Sequence, residues 1–150
     1  MRRPGSGLDV IVVGGGIAGL TAALHCALRG RTVAVLEGEL PGGLIVNVGA
    51  LEGLPGPGPV AGAELAAGLQ GQLTELGVDV ISVNAESVEP GPRGFVVRTT
   101  DGDKRARCVV AATGARLSPL PAPGAEILAG KGVSQCAFCD AGLYLSLIHI

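Results

Sequence analysis

Between Leu8 and Arg29 an apolar run, a glycine triplet and a helical apolar stripe follow one another without a break. Leu8-Asp9-Val10-Ile11-Val12-Val13 is short and nearly all apolar, the pattern of a strand buried on both faces of a parallel sheet. Gly14-Gly15-Gly16 supplies a turn. Ile17, Leu20, Leu24 and Leu28 then recur at helical spacing through Arg29, and Gly30 stops the helix. Arg31–Glu37 reads as a second strand. Strand, helix and strand within about thirty residues make a βαβ unit, so the fold class is α/β around a Rossmann-like βαβ sheet.

The turn has a chemistry of its own. Gly14-x-Gly16-x-x-Gly19 follows a strand and opens a helix, and Glu37 closes the next strand 18 residues after Gly19. That is the context in which G-x-G-x-x-G reads as a dinucleotide fingerprint. Gly14 permits the tight turn, Gly16 lets the backbone approach a pyrophosphate, and Gly19 lets helix and strand pack closely. The helix N-terminus offers N–H groups and a partial positive charge to the phosphates. Glu37 would accept hydrogen bonds from a ribose diol and would repel a 2′-phosphate, which disfavours NADP at this first site. No Lys follows Gly19, so the loop is not a P-loop.

Residues 38–60 are so dense in Gly and Pro that no regular structure is expected there, and a loop of that length is usually functional. Ala61–Leu76 reads as a second helix on Leu65, Leu69, Leu73 and Leu76, and Val78–Val83 as a strand. Phe95–Thr100 and Lys104–Ala111 flank Asp101-Gly102-Asp103, a turn signal that predicts an inserted β-hairpin. Its second strand runs into Ala111-Ala112-Thr113-Gly114. From Leu117 to Gly124 four of eight residues are Pro or Gly, which reads as a linker to another domain. The expected organisation is 1–117 as a first domain segment, 118–144 as linker and start of a second domain, and 145–150 as a non-native tail. Leu145–Ile150 (L-S-L-I-H-I) continues no preceding pattern, which suggests a truncated or misjoined reading frame.

Composition narrows the function classes. Phe95, Phe138 and Tyr144 are the only aromatic residues, too few for a platform on which bases stack. The net charge is −2 with no basic patch, so neither nucleic acid nor an anionic membrane is an expected partner. Arg2 and Arg3 before an apolar stretch superficially resemble a secretory signal. Asp9, His25 and Arg29 break that pattern, and the glycines fit a nucleotide turn better. A cytoplasmic protein is expected.

The second constellation is Cys136-x-x-Cys139-Asp140. A lone C-x-x-C is compatible with a redox dithiol or with half of a zinc site. A structural zinc site needs four ligands, and no second Cys or His pair stands at ligand spacing, so metal binding is not expected. Cys26 in mid-helix and Cys108 in mid-strand are expected to be buried and inert. Asp140, directly after the second Cys, suits a group that passes a proton to or from a thiolate.

With these residues assembled, the chain resembles the low-molecular-weight thioredoxin reductases, FAD-dependent pyridine nucleotide–disulfide oxidoreductases. The resemblance runs from about Asp9 to Tyr144. It rests on D-V-I-V-V-G-G-G-I-A-G-L, Pro41-Gly42-Gly43, Leu54-Pro55-Gly56, Ala111–Ala115 (A-A-T-G-A) and G-V-S-Q-C-A-F-C-D. It implies that Gly14, Gly16, Gly19 and Glu37 hold the ADP half of FAD, with Gly42-Gly43 near the flavin side and Thr113-Gly114 bordering the cofactor. It implies that Cys139 receives electrons from the flavin, Cys136 attacks a partner's disulfide, and Asp140 is the acid-base group. NADPH would be the electron source, its own glycine fingerprint falling beyond Tyr144 and so outside this chain. A thioredoxin-like protein or a small-molecule disulfide or dithiol would be the partner, and the parent would be a homodimer. On this view the chain is an N-terminal fragment, expected to be marginally stable and inactive alone. Two positions depart from the family: Leu44 stands where Gln is common, and Gly53 where Asn is common. Oxidation of a small-molecule dithiol is therefore an alternative, as is a non-catalytic dinucleotide-binding fragment.

Overall fold

The computed structural model describes residues 7–56, 58–116, 118–136, 140, 142 and 143. The chain divides into two compact units, Met1–Gly114 and Ala115–Ile150. In the first unit the chain order is β1 (Leu8–Val13), α1 (Ile17–Leu28), β2 (Val33–Glu37), a 3-10 helix (Gly43–Asn47), α2 (Gly62–Glu75), β3 (Asp79–Ser82), β4 (Ala85–Gly91), β5 (Gly94–Thr99) and β6 (Lys104–Ala111). Among the described residues the strands form one six-stranded sheet in the order β3-β2-β1-β6-β5-β4.

β1 lies inside the sheet because its apolar run can be covered on every side. Val10 to Val13 pair in parallel with Val33 to Leu36 of β2, and also with Cys108 to Ala111 of β6. β2 pairs in parallel with β3, from Ala34 opposite Asp79 to Glu37 opposite Ser82. Side chains alternate across this sheet. Val10 and Val12 face a cluster built by Leu20, Ala23 and Leu24 of α1, Leu73 of α2, and Val33, Val35 and Val78. Ile11 points the other way and packs with Leu36, Val83, Val97 and Ala106. Ile11 and Val12 are both fully buried, as a strand with two covered faces requires.

The described turns account for their polar groups. Thr99 is buried, and its hydroxyl donates to Gly102 O at 2.5 Å and accepts from the Asp101 N–H at 3.3 Å, closing the β5–β6 turn. At the same end of the sheet the Asp9 carboxylate accepts from the Thr32 N–H at 3.1 Å and from Arg107 at 3.4 Å, tying β1 to the start of β2 and to β6.

Four expectations differ from the structure. The predicted hairpin is the second half of a three-stranded antiparallel run, because β4 precedes it and pairs with β5. β4 carries two glutamates and Pro90 and is largely exposed, so it lacks the apolar alternation that marks a half-buried strand. Its edge position is what lets Pro90 sit in it. Residues 38–60 are not wholly irregular, since Gly43–Asn47 forms the 3-10 helix, bounded by Gly42 and Val48. Cys108 is exposed rather than buried, and Cys26 is half-buried; both are free thiols. β6 outlasts its antiparallel partner: only Lys104, Arg105 and Ala106 face β5, so beside Cys108 the only paired strand among the described residues is β1.

Candidate functional site: a dinucleotide cradle and a redox cysteine

The carboxyl ends of β1, β2 and β6 lie side by side in the sheet, so the segments leaving them emerge at one edge. Gly14–Gly16 leaves β1, Glu37 ends β2, and Ala112–Gly114 leaves β6. In open α/β sheets ligands bind in this position.

The glycines of the turn meet different surroundings. Gly14 has φ +102, and a Cβ there would run into Ala112 O and come within 3.3 Å of Thr113 Cα, so the turn needs glycine both for its dihedral and for the passage of the strand beside it. A Cβ on Gly19 would collide with Gly14 O and lie 3.2 Å from Val12 Cγ1, which seats α1 against β1. Gly16 differs from both. Its Cβ would meet nothing nearer than Gly42 O at 3.9 Å and Gly43 Cα at 4.0 Å. A methyl group at Gly16 would therefore make only ordinary contacts, although the Gly42-Gly43 backbone runs close beside it: Gly16 bridges in parallel to Gly42, and a Cβ on Gly43 would lie 3.1 Å from Gly16 Cα. Gly16 is also the N-cap of α1, with no side chain to occupy the first-turn N–H groups and no acidic residue in that turn. Those donors and the positive end of the helix suit a phosphate.

Two further contacts shape the cradle. The Gly42 N–H donates to Gly15 O at 2.7 Å, laying the Pro41-Gly42-Gly43 segment along the glycine turn. Gly42 (φ +116) cannot carry a side chain, because a Cβ would strike Val46 and lie 2.9 Å from Ala66 Cβ of α2. Glu37 Oε2 accepts from the Gly15 N–H at 2.5 Å, and Oε1 accepts from the Glu39 N–H at 2.8 Å. A carboxylate has about four acceptor sites, so two remain for hydroxyl donors of a ribose. The fold thus brings Gly14, Gly16, Gly19, Glu37, Gly42, Gly43 and Thr113 together, with Gly114 next in chain. The Gly15–Glu37 clasp escaped sequence reading, which assigned Glu37 to a ligand alone. Gly62 escaped it too: a Cβ there would collide with Ile45 O, so α2 can start against the 3-10 helix only with glycine at that position.

Cys136 and Asp140 lie in the second unit, and Cys139 lies outside the described residues. Cys136 is disulfide-bonded, whereas Cys26 and Cys108 are free. The Asp140 N–H donates to Cys136 O at 3.0 Å. Ser134 touches both residues: its Oγ accepts from the Cys136 N–H at 3.0 Å and donates to Asp140 Oδ2 at 2.5 Å. Among the described residues no group of three or more His, Cys, Asp or Glu side chains is placed to hold a metal ion, and no helix is long and apolar enough to cross a membrane.

A mixed α/β sheet whose parallel strands end at a glycine turn suited to phosphate, carried in one chain with a disulfide-bonded cysteine tied to a carboxylate residue, is the pattern of dinucleotide-linked oxidoreductases. A family model for pyridine nucleotide-disulphide oxidoreductases matches residues 8–145, and the chain belongs to that family. Thioredoxin reductase of Listeria monocytogenes is 33% identical over 136 residues, spanning 91% of this chain and 43% of that protein. Thioredoxin reductase of Bacillus subtilis is 32% identical over the same shares. The crystal structure of Lactococcus lactis thioredoxin reductase superposes with a TM-score of 0.79 at 32% identity, over 91% of this chain and 45% of that one. The six-stranded sheet with its helices is thus that of the FAD-binding domain of these reductases, and the chain spans less than half of its relatives' length. The family uses a flavin and a nicotinamide nucleotide. The uncapped start of α1 at Gly16 and the spare acceptor sites of Glu37 fit the ADP half of such a cofactor.

Proposed function

We propose that this chain is the cofactor-cradling and dithiol-bearing part of a thioredoxin reductase-like enzyme. That enzyme would pass electrons from NADPH through FAD and the Cys136/Cys139 pair to a thioredoxin-like disulfide. The observation that carries the reading is the presence, in one chain matching thioredoxin reductases over 91% of its length, of the glycine cradle and of a disulfide-bonded Cys136 tied to Asp140. FAD, when bound, supplies a two-electron relay between the nicotinamide and the cysteine pair.

The protein's own residues do the rest. Gly14, Gly16 and Gly19 would admit the pyrophosphate, Glu37 would accept from the ribose hydroxyls, and Gly42-Gly43 with Thr113-Gly114 would flank the cofactor. In the reduced dithiol, Asp140 takes the proton of the Cys136 thiol. The thiolate attacks one sulfur of the partner's disulfide, a mixed disulfide forms, and the partner's other sulfur leaves and takes that proton. Cys139 then gives its proton to solvent and its thiolate attacks Cys136 Sγ, releasing the partner's second sulfur, which takes a proton from solvent. Two electrons have moved from the dithiol to the partner, and the Cys136–Cys139 disulfide is restored. A cytoplasmic, homodimeric parent belongs to the same proposal.

The test is to express the complete reading frame that contains this chain. The expected product is yellow, is bleached by NADPH without oxygen, and reduces thioredoxin; Cys136→Ser should keep the bleaching and lose the transfer. A colourless product would sink the reading. The exposed Leu44 and the Gly53 turn, where the family commonly has Gln and Asn, favour a second reading, oxidation of a small dithiol. Bleaching by a small dithiol but not by NADPH would select it.

A further inference from the structure

Beyond the acid-base role proposed for Asp140, on which this inference rests, we propose that Ser134 is the positioning residue that holds the Asp140 carboxylate against the Cys136 backbone. The hydroxyl of Ser134 has one proton and two acceptor sites. Two oxygens compete for the proton: Asp140 Oδ2 at 2.5 Å and Cys136 O at 3.3 Å. The carboxylate wins on distance and on charge, because a charge-assisted bond is shorter and about twice as strong as a neutral one. Cys136 O is served in any case by the Asp140 N–H at 3.0 Å. The Cys136 N–H, also at 3.0 Å, fills an acceptor site of the same hydroxyl. Every polar direction of the Ser134 side chain that faces this turn is therefore assigned.

Asp140 is consequently clamped at two points. Its backbone is tied to Cys136, and its side chain is tied through Ser134 to the same residue. Without the hydroxyl nothing described in the second unit holds the carboxylate there. It would turn to water, and proton transfer to and from Cys136 would have to wait for its return. Ser134 and Asp140 open onto a cavity of about 290 Å³ whose apolar side is Leu120, Ala125, Ala129 and Val133. Glu126 is the other titratable side chain lining it among the described residues.

The proposal separates from a purely structural role for Ser134 by its coupling to Asp140. The experiment reduces the chain and alkylates it with iodoacetamide across pH, reading the Cys136 peptide by mass spectrometry. Loss of a neighbouring negative charge eases thiolate formation, so Asp140→Asn should move the alkylation midpoint down by about half to one pH unit. Ser134→Ala should move it in the same direction, Ser134→Thr should stay with wild type, and Ser134→Ala added to Asp140→Asn should do nothing more. Glu126→Gln should leave this coupling intact. If Ser134→Ala shifts the midpoint equally with and without Asp140, or if it matches wild type while Asp140→Asn shifts, the positioning role is overturned and the acid-base reading survives. If Asp140→Asn leaves the midpoint unmoved, the acid-base reading fails and takes the inference with it.

Discussion

Gly16 and Gly19 belong to one motif, yet they are glycine for different reasons, and substitution separates them. Gly19→Ala drives a methyl group into Gly14 O, a backbone atom that cannot move without shifting the turn. A cost of about 1–3 kcal/mol is expected from overpacking of this kind, read as a lower denaturant midpoint. Gly16→Ala has room and an ordinary φ of −71, so stability should change by less than about 0.5 kcal/mol while flavin retention in the full-length protein falls. Equal loss of stability in both variants would contradict this division of labour. Asp9 yields a second prediction at this scale. The Thr32 backbone N–H, then the Thr32 hydroxyl and Arg107, hold its carboxyl below the ordinary value of 3.8. A carboxyl depressed in the folded state adds stability that is present above 3.8 and is lost as pH falls through the lower folded value. Asp9→Asn should therefore be less stable than wild type at neutral pH, and the gap should close in acid unfolding curves below pH 3.8. The fingerprint glycines and Glu37 could be picked out from spacing. The bond from Gly15 to Glu37 could not, because it joins residues 22 positions apart that only the β1–β2 register brings together.

Elements carry the cradle through their packing. α2 has no fingerprint residue, yet Ala66 lies against Gly42 and fully buried Leu73 joins the cluster of Leu20, Val10 and Val12 under the glycine turn. Leu73→Ala should cost about 2–5 kcal/mol, seen as a lower thermal or denaturant midpoint. Leu76, three residues on and 42% exposed, should cost less than about 1 kcal/mol when cut to Ala, since much of its surface already meets water. The helical spacing of Leu65, Leu69, Leu73 and Leu76 located this helix in the chain, while only the packing distinguishes Leu73 from Leu76. β1, α1 and β2 were the most legible elements, because strands covered on both faces and a helix covered on one must show their periods. β4 was not legible, since an exposed edge strand owes its conformation to pairing with β5 and imposes no apolar pattern of its own.

At the scale of the molecule the chain forms two compact units that meet in sequence at Gly114 and Ala115. Ala115 and Arg116 are exposed and belong to no strand or helix. Limited trypsin digestion should therefore cut first after Arg116, and Arg116→Gln should slow that cut; earlier cleavage after Arg105 or Arg107 within β6 would mean that the first unit opens more readily than its core suggests. The sequence alone determined the α/β class, the βαβ start, the glycine turn with its acid and the cysteine pair with its aspartate, because each is assembled from short patterns that follow one another in chain order. Tertiary structure alone decided which glycine leaves room and which fills it, that β6 serves both a parallel and an antiparallel neighbour, and that Cys108 faces water. These depend on what stands beside a residue in space, and a one-dimensional pattern carries no record of a neighbour supplied by a distant part of the chain.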